Sequence, residues 1–158
     1  MRMKRVAVLA AVCATVWVSA VPGAAGAQAV ARTASPAAVQ TSQWDGVYTE
    51  EQAARGEPLY RENCSMCHGL ALAGTVLAPA LAGPVFTAKW NRRSLSLVFD
   101  VMQTRMPLNL SGHLSPQQNA DVLAYMLKRG ESPAGSRELA PESLAAVIVR
   151  SAPAGGVK

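Results

Sequence analysis

The sequence predicts an all-α fold, on two helix signatures and on the lack of any β-hairpin pattern. Ser115-Pro116-Gln117-Gln118 puts a hydroxyl at the N-cap, proline at the first helical position and glutamine at N3, ahead of Val122, Leu123, Tyr125, Met126 and Leu127. Upstream, Leu95, Val98, Phe99 and Met102 recur at i, i+3, i+4 and i+7, one buried stripe of a helix. At 158 residues the chain has room for one domain with a modest core.

Arg2, Lys4 and Arg5 precede an apolar run from Val6, which Pro22-Gly23 breaks and Ala25-Gly26-Ala27 follows. A basic start, an apolar stretch and small residues at the scissile bond make residues 1–27 a secretory signal peptide, cleaved after Ala27. The run is shorter than the roughly 20 apolar residues that span a bilayer, so the mature chain is expected to have no stable membrane span and to be periplasmic. Cys13, inside the run, reads as a small apolar residue.

Residues 28–44 read as a flexible linker, since Gln28 through Gln43 is rich in Ala, Ser, Thr and Val and has Arg32 as its one charge. A domain spans 45–130. Its first helix starts at Thr49, whose hydroxyl caps the amide of Gln52 while the Gln52 side chain reaches back, and Ala53, Gly56 and Tyr60 share a face. Pro58 removes an amide donor and crowds the carbonyl of Ala54, which predicts a bend or a fresh start near Gly56. Residues 69–84 are uncharged, too irregular for a helix and too apolar for an open loop, so they should wrap something apolar. The next helix begins after Ser94 and ends before Met106-Pro107. The last closes with Lys128 and Arg129 against its dipole and stops at Gly130. Residues 131–158 form a C-terminal extension in which Leu139, Leu144, Val147 and Ile148 can dock.

Cys64-Ser65-Met66-Cys67-His68 has the C-x-x-C-H spacing of c-type haem attachment. Residues three and four apart share a helical face, so two thiols can meet two vinyl groups while the His68 imidazole sits under iron. A Cys64–Cys67 disulfide leaves His68 unexplained, and a thioredoxin-like pair lacks its βαβ setting. A zinc site needs about four ligands, where the mature chain has Cys64, Cys67, His68 and His113. Donors for the second axial position are Met102, Met106 and His113. Met106 is preferred, because Pro107 ends the helix and sets an extended turn that can fold back over the ring. Met102 belongs to the buried stripe and Met126 to the core. His113 reads as a loop imidazole, with a bis-His haem left open.

With C-S-M-C-H-G, P-A-L-A-G-P-V-F, R-M-P-L-N-L-S-G-H-L-S and A-D-V-L-A-Y-M-L on the page, residues of about 45–130 resemble class I cytochrome c. The flanking W-D-G-V-Y-T-E-E-Q-A-A-R-G and P-A-G-S-R-E-L are similar to small cytochrome domains found alongside quinoprotein dehydrogenases. The resemblance implies a small helical fold wrapped around one covalently bound haem c, with Gly56 and Tyr60 letting the first helix cross the last near Val122 and Tyr125. It implies further that the Pro79 carbonyl accepts a hydrogen bond from His68, that Leu81 packs on the haem face, and that Trp90 donates to a propionate with Lys89, Arg92 and Arg93 nearby. The stretch Leu108-Asn109-Leu110-Ser111-Gly112 departs from the family pattern, which leaves the loop at Met106 open.

The formal charge of +5 falls to +2 once Arg2, Lys4 and Arg5 leave with the signal. Two propionates bring it near neutrality, with no basic stripe for nucleic acid. A haem held by His and Met has no vacant position for substrate, so the expectation is a carrier of single electrons and not an enzyme. Its partners are redox proteins, a donor such as a dehydrogenase and an acceptor such as an oxidase or another cytochrome, met through a weakly charged contact that salt affects modestly. Two other readings stand beside this one. The domain is a haem c subunit docked permanently to a dehydrogenase or oxidase through residues 139–149, or it is a ligand-binding or peroxidase-like haem protein with His113 as the acid–base group.

Overall fold

A computed structural model describes residues 41–153. The predicted signal peptide and cleavage site, Cys13 and the predicted linker up to residue 40 lie outside the described residues. Five helices follow one another: α1 (Glu50–Asn63), α2 (Ser65–His68), α3 (Gly83–Trp90), α4 (Leu95–Arg105) and α5 (Pro116–Arg129). The fold is all-α, with one minimal parallel pair added, β1 (Thr41–Ser42) beside β2 (Val147–Ile148).

The first and last helices cross at Gly56. A Cβ there would fall 1.9 Å from the carbonyl oxygen of Asp121, so only glycine lets the two backbones come this close. Tyr60 then meets Tyr125 with ring centroids 5.5 Å apart. Ala53, Tyr60, Val122 and Tyr125 are buried around the crossing. Each large apolar side chain so buried contributes roughly 1.5–3 kcal/mol.

Thr49 caps α1 as expected, accepting from the Gln52 amide at 3.1 Å. The Gln52 side chain, however, does not reach back to complete a capping box. It is fully buried, donating to Leu139 O at 2.8 Å and Asp121 Oδ1 at 3.2 Å, while its Oε1 accepts from Leu139 N at 2.7 Å. The main chain at Leu139 and the carboxylate of Asp121 enclose the amide, and their bonds replace the local one. Pro58 does not split α1 either, which runs from Glu50 to Asn63 as one element. Pro58 and Ala54 both lie on the exposed face, where the carbonyl deprived of its partner meets solvent.

α4 and α5 match their sequence signatures. Ser94 caps α4, with Leu95, Val98 and Phe99 buried and Met102 partly so, and Ser115 and Gln118 form the capping box of α5. Every residue from Asn119 to Leu127 is buried, which one amphipathic face cannot explain. The C-terminal extension supplies the missing cover: Leu139, Leu144, Val147 and Val149 all belong to the core. Residues 139–149 are therefore not the free apolar surface that a docked-subunit reading calls for. Nor do residues 41–44 continue a flexible linker. Ser42 caps a 3-10 turn over Gln43–Asp45, and the Gln43 side chain clamps both the amide and the carbonyl of Arg150.

The two flanking motifs singled out in the sequence meet in space. Gly135 N donates to Tyr48 O at 2.6 Å, and a Cβ on Gly135 would fall 1.9 Å from Gly46 O. Arg55 joins Asp121 to Glu138 in one ion-pair cluster. The helix α3 begins at the end of the stretch 69–84 expected to be irregular and has no signature in the sequence. It buries Phe86 alone, so no periodic stripe betrays it.

Candidate functional site

Cys64 closes α1, its amide donating to Tyr60 O at 2.9 Å, and its own carbonyl accepts from Cys67 N at 3.2 Å and His68 N at 3.0 Å. This helical turn brings Cys67 and His68 back beside Cys64, as the spacing requires. Both thiols are free and partly buried. Burial, and secondarily Cys67, pushes the Cys64 thiol up to about 11, so it stays protonated at neutral pH.

The imidazole of His68 is buried, with Nδ1 2.7 Å from the carbonyl oxygen of Pro79. A carbonyl only accepts, so Nδ1 carries the proton and Nε2 has the lone pair of a metal ligand. No fully buried side-chain nitrogen or oxygen lacks a partner among the described residues, and Nε2 makes no hydrogen bond there, so it is reached from outside the chain.

The loop after His68 makes that contact possible by folding back on itself. Gly74 N donates to His68 O at 3.0 Å, Leu81 N donates to Leu72 O at 2.9 Å, and Thr75 Oγ1 donates to Cys67 O. Gly74 has φ +80, and a Cβ on it would fall 2.6 Å from Ala80 N. Tyr60 ties the same segment to α1, donating its hydroxyl to Gly69 O at 2.7 Å. Tyr60 and Thr75 are positioning residues that the sequence reading did not assign to the site. The helical pattern marked Tyr60 only as core, and nothing marked Thr75.

Met106 is the C-cap of α4 and is half-buried, in extended conformation at φ −124 and ψ 147. The loop it opens is anchored at the far end, where Gln103 and Asn119 both donate to Leu114 O and Asn119 also donates to Gln103. Met102 packs against the core, Met126 is buried within it, and His113 is exposed on the loop. Trp90 is partly buried beside Phe86, with the Lys89 ammonium 5.6 Å from its ring centroid, and Leu81 is partly buried at the core's edge.

Among the described residues, the large hydrophobic side chains left exposed are Met66, Leu70, Val76, Leu77, Val85, Leu97, Leu108 and Leu110. All fall from the C-x-x-C-H turn to the loop after Met106, and none of the described residues of α1, α5 or the C-terminal extension is among them. Apolar surface concentrated on the two segments that hold the candidate ligands fits a large, flat, apolar group seated between them. The donors suit it as well: imidazole and thioether are axial ligands of haem iron. Among the described residues, no three His, Cys, Asp or Glu side chains gather as a metal site of their own, which leaves zinc without a ligand set.

A family model described as cytochrome c oxidase, cbb3-type, subunit III matches residues 51–126. These residues form a cytochrome c domain. The match begins in the first turn of α1 and ends in the last turns of α5, so it takes in the helix crossing, the C-x-x-C-H turn and Met106. A cytochrome c domain of this kind binds haem c. Among solved structures, the sulfane dehydrogenase SoxCD from Paracoccus pantotrophus is similar at 23% identity and a TM-score of 0.49, over 77% of this chain and 68% of that one. No curated protein matches the chain. Among the described residues, no helix of the cytochrome is long and apolar enough to cross a membrane.

Proposed function

We propose that this chain is an exported, periplasmic monohaem cytochrome c that carries single electrons between redox proteins and is not itself an enzyme. One haem would be attached covalently through Cys64 and Cys67, and His68 and Met106 are the residues that would hold its iron. The observation that carries the reading is the His68–Pro79 contact, which leaves Nε2 as a free lone pair beside two unoxidised thiols.

Haem iron supplies a one-electron ferric/ferrous couple. The chain's residues set its surroundings. The Pro79 carbonyl holds the Nδ1 proton, fixing the tautomer and orientation of His68 and raising its basicity as a ligand. Cys64 and Cys67 are both free, and their three-residue spacing on one helical turn is what thioether formation with two vinyl groups needs. Met106 brings a thioether, a ligand that favours the ferrous state and raises the potential. Leu70, Val76, Leu77, Leu108 and Leu110 are exposed apolar side chains that would help exclude water from a bound haem. Held by His68 and Met106, the group would supply outer-sphere electron transfer.

A free shuttle is favoured over a permanently docked subunit, because the apolar extension that would mediate docking is buried in the chain's own core. The proposed organisation is a signal peptide at 1–27, a haem domain over 45–130, and an extension from 131 that completes the core. The test mixes reduced, haem-loaded protein with a high-potential one-electron acceptor and, separately, with peroxide, while haem absorbance is followed. Fast oxidation by the acceptor and inertness to peroxide are expected. Catalytic peroxide turnover overturns the carrier reading. Intact mass of the exported protein should begin at Gln28 and include one haem that acidic solvent does not extract.

A further inference from the structure

The exposed cations are unevenly placed. Arg55, Arg61 and Lys128, on α1 and α5, are held in ion pairs with Asp121, Glu138, Glu57 and Glu50. Lys89, Arg92, Arg93 and Arg150 are also exposed and, like Arg105, Arg129 and Arg137, take part in no ion pair among the described residues.

The backbone gathers these four. Arg92 N donates to Val149 O at 2.7 Å and Val149 N donates to Arg93 O at 2.8 Å, which seats the turn after α3 against the residue preceding Arg150. Lys89 is in the last turn of α3, and Arg93 N closes on Trp90 O at 2.9 Å. Arg150 is fixed from behind, because Gln43 bonds its amide at 2.9 Å and its carbonyl at 2.6 Å while Trp44 Nε1 donates to that carbonyl at 3.1 Å. Its main chain is spoken for and its side chain faces outward. Arg92 takes φ +62, a left-handed conformation unfavourable for a residue with a Cβ. Between Arg92 and Arg150 the surface forms a hollow lined also by Asn91, Ile148 and Ser151.

The two segments that carry these cations contain no carboxylate, and Asp45, in the turn that holds Arg150, is engaged by the amide and hydroxyl of Ser42. No Asp or Glu occurs from Asn63 to Phe99, nor from Ser143 to Ser151. A net charge of +2 for the mature chain thus conceals, before the haem propionates are counted, a face on which cations predominate and a helix pair, α1 and α5, that carries much of the acid. The modest salt dependence expected from net charge alone does not follow once the charges are segregated, since association responds to the local field.

We propose that this face docks an acidic protein, with carboxylates of the partner seated on Arg92, Arg93 and Arg150 and Lys89 at the rim. That the partner is a redox protein rests on the carrier reading above; the surface itself does not. Guanidinium groups match carboxylates bidentately, and three of the four cations are arginines. Four cations fall short of the roughly 6–10 phosphate contacts typical of duplex binding, and Trp90 is packed towards Phe86 rather than offered for base stacking.

The test titrates haem-loaded, isotope-labelled protein with poly-L-glutamate at low salt and at about 0.2 M salt. Amide shifts should cluster at residues 89–93 and 147–151, and affinity should fall on the order of tenfold with salt. Arg92→Glu combined with Arg150→Glu should weaken binding on the order of tenfold, while Arg137→Glu together with Arg129→Glu, an equal change of net charge at exposed sites elsewhere, should change it less than about twofold. Equal loss in both double variants, shifts scattered over other faces, or tighter binding of a single-stranded oligonucleotide than of polyglutamate overturns the proposal. The readout needs no electron transfer. Protein that binds polyglutamate here yet fails to reduce an acceptor sinks the carrier reading alone, and the reverse result sinks the surface alone.

Discussion

Replacing Gly56 with alanine places a methyl group where the backbone of α5 already stands. The added Cβ would lie 1.9 Å from the carbonyl oxygen of Asp121, 2.4 Å from its carbonyl carbon and 2.9 Å from the amide nitrogen of Val122. All three are main-chain atoms of a helix, so no rotamer change relieves the clash and the helices must part by about 1 Å at least to restore ordinary contact. Parting them loosens Tyr60 from Tyr125 and stretches the Gln52 and Arg55 bonds to Asp121. Overpacking a close-packed core costs about 1–3 kcal/mol, and a backbone-on-backbone clash belongs at or beyond the top of that range. Alanine regains about 1 kcal/mol of helix propensity, so a net loss of about 2–3 kcal/mol is expected. Chemical denaturation of the haem-loaded protein with linear extrapolation measures it. Ala54→Gly, on the exposed face of the same helix, is the control and should cost about 1 kcal/mol through propensity alone. A Gly56→Ala protein as stable as the parent would refute the claim that this crossing depends on contact between backbones.

Three further outcomes are expected. Gln52→Leu removes three hydrogen bonds and leaves the buried Leu139 amide without a partner, a loss of about 3 kcal/mol; hydrogen exchange at Leu139 should accelerate, and a change under about 1 kcal/mol would show the amide to be incidental. Burial pushes the hydroxyls of Tyr48 and Tyr60 up to about 12 from an ordinary 10.0, so the folded state keeps protons that the unfolded chain releases. Their contribution is complete below about pH 10 and is lost as pH rises through about 12; Tyr60→Phe should make the alkaline fall in stability shallower, and an unchanged slope counts against it. Met106→Ala should abolish the sulfur-to-iron charge-transfer absorption, lower the potential and admit exogenous ligands, whereas Met102→Ala should alter stability alone. Spectral loss in a Met102 or His113 variant would reassign the ligand.

What the sequence by itself determined is what depends on near neighbours along the chain. The C-x-x-C-H turn is legible because a helix fixes the geometry of residues three and four apart. The caps at Thr49, Ser94 and Ser115 and the stripe from Leu95 to Met102 are legible for the same reason. Only the tertiary structure decided the partners that lie far off in sequence. Gln52 forgoes its local capping bond because Leu139 and Asp121 surround it. The middle of α5, Asn119 to Leu127, is buried all round because α1, α4 and residues of the extension pack together over it, and residues 41–44 are held because Gln43 finds Arg150. α3 has no sequence signature, since one buried Phe86 makes no period. The cationic face was equally invisible, because composition sums charge over a chain whereas Arg92, Arg93 and Arg150 act together only once the backbone pairs residues 92–93 with Val149.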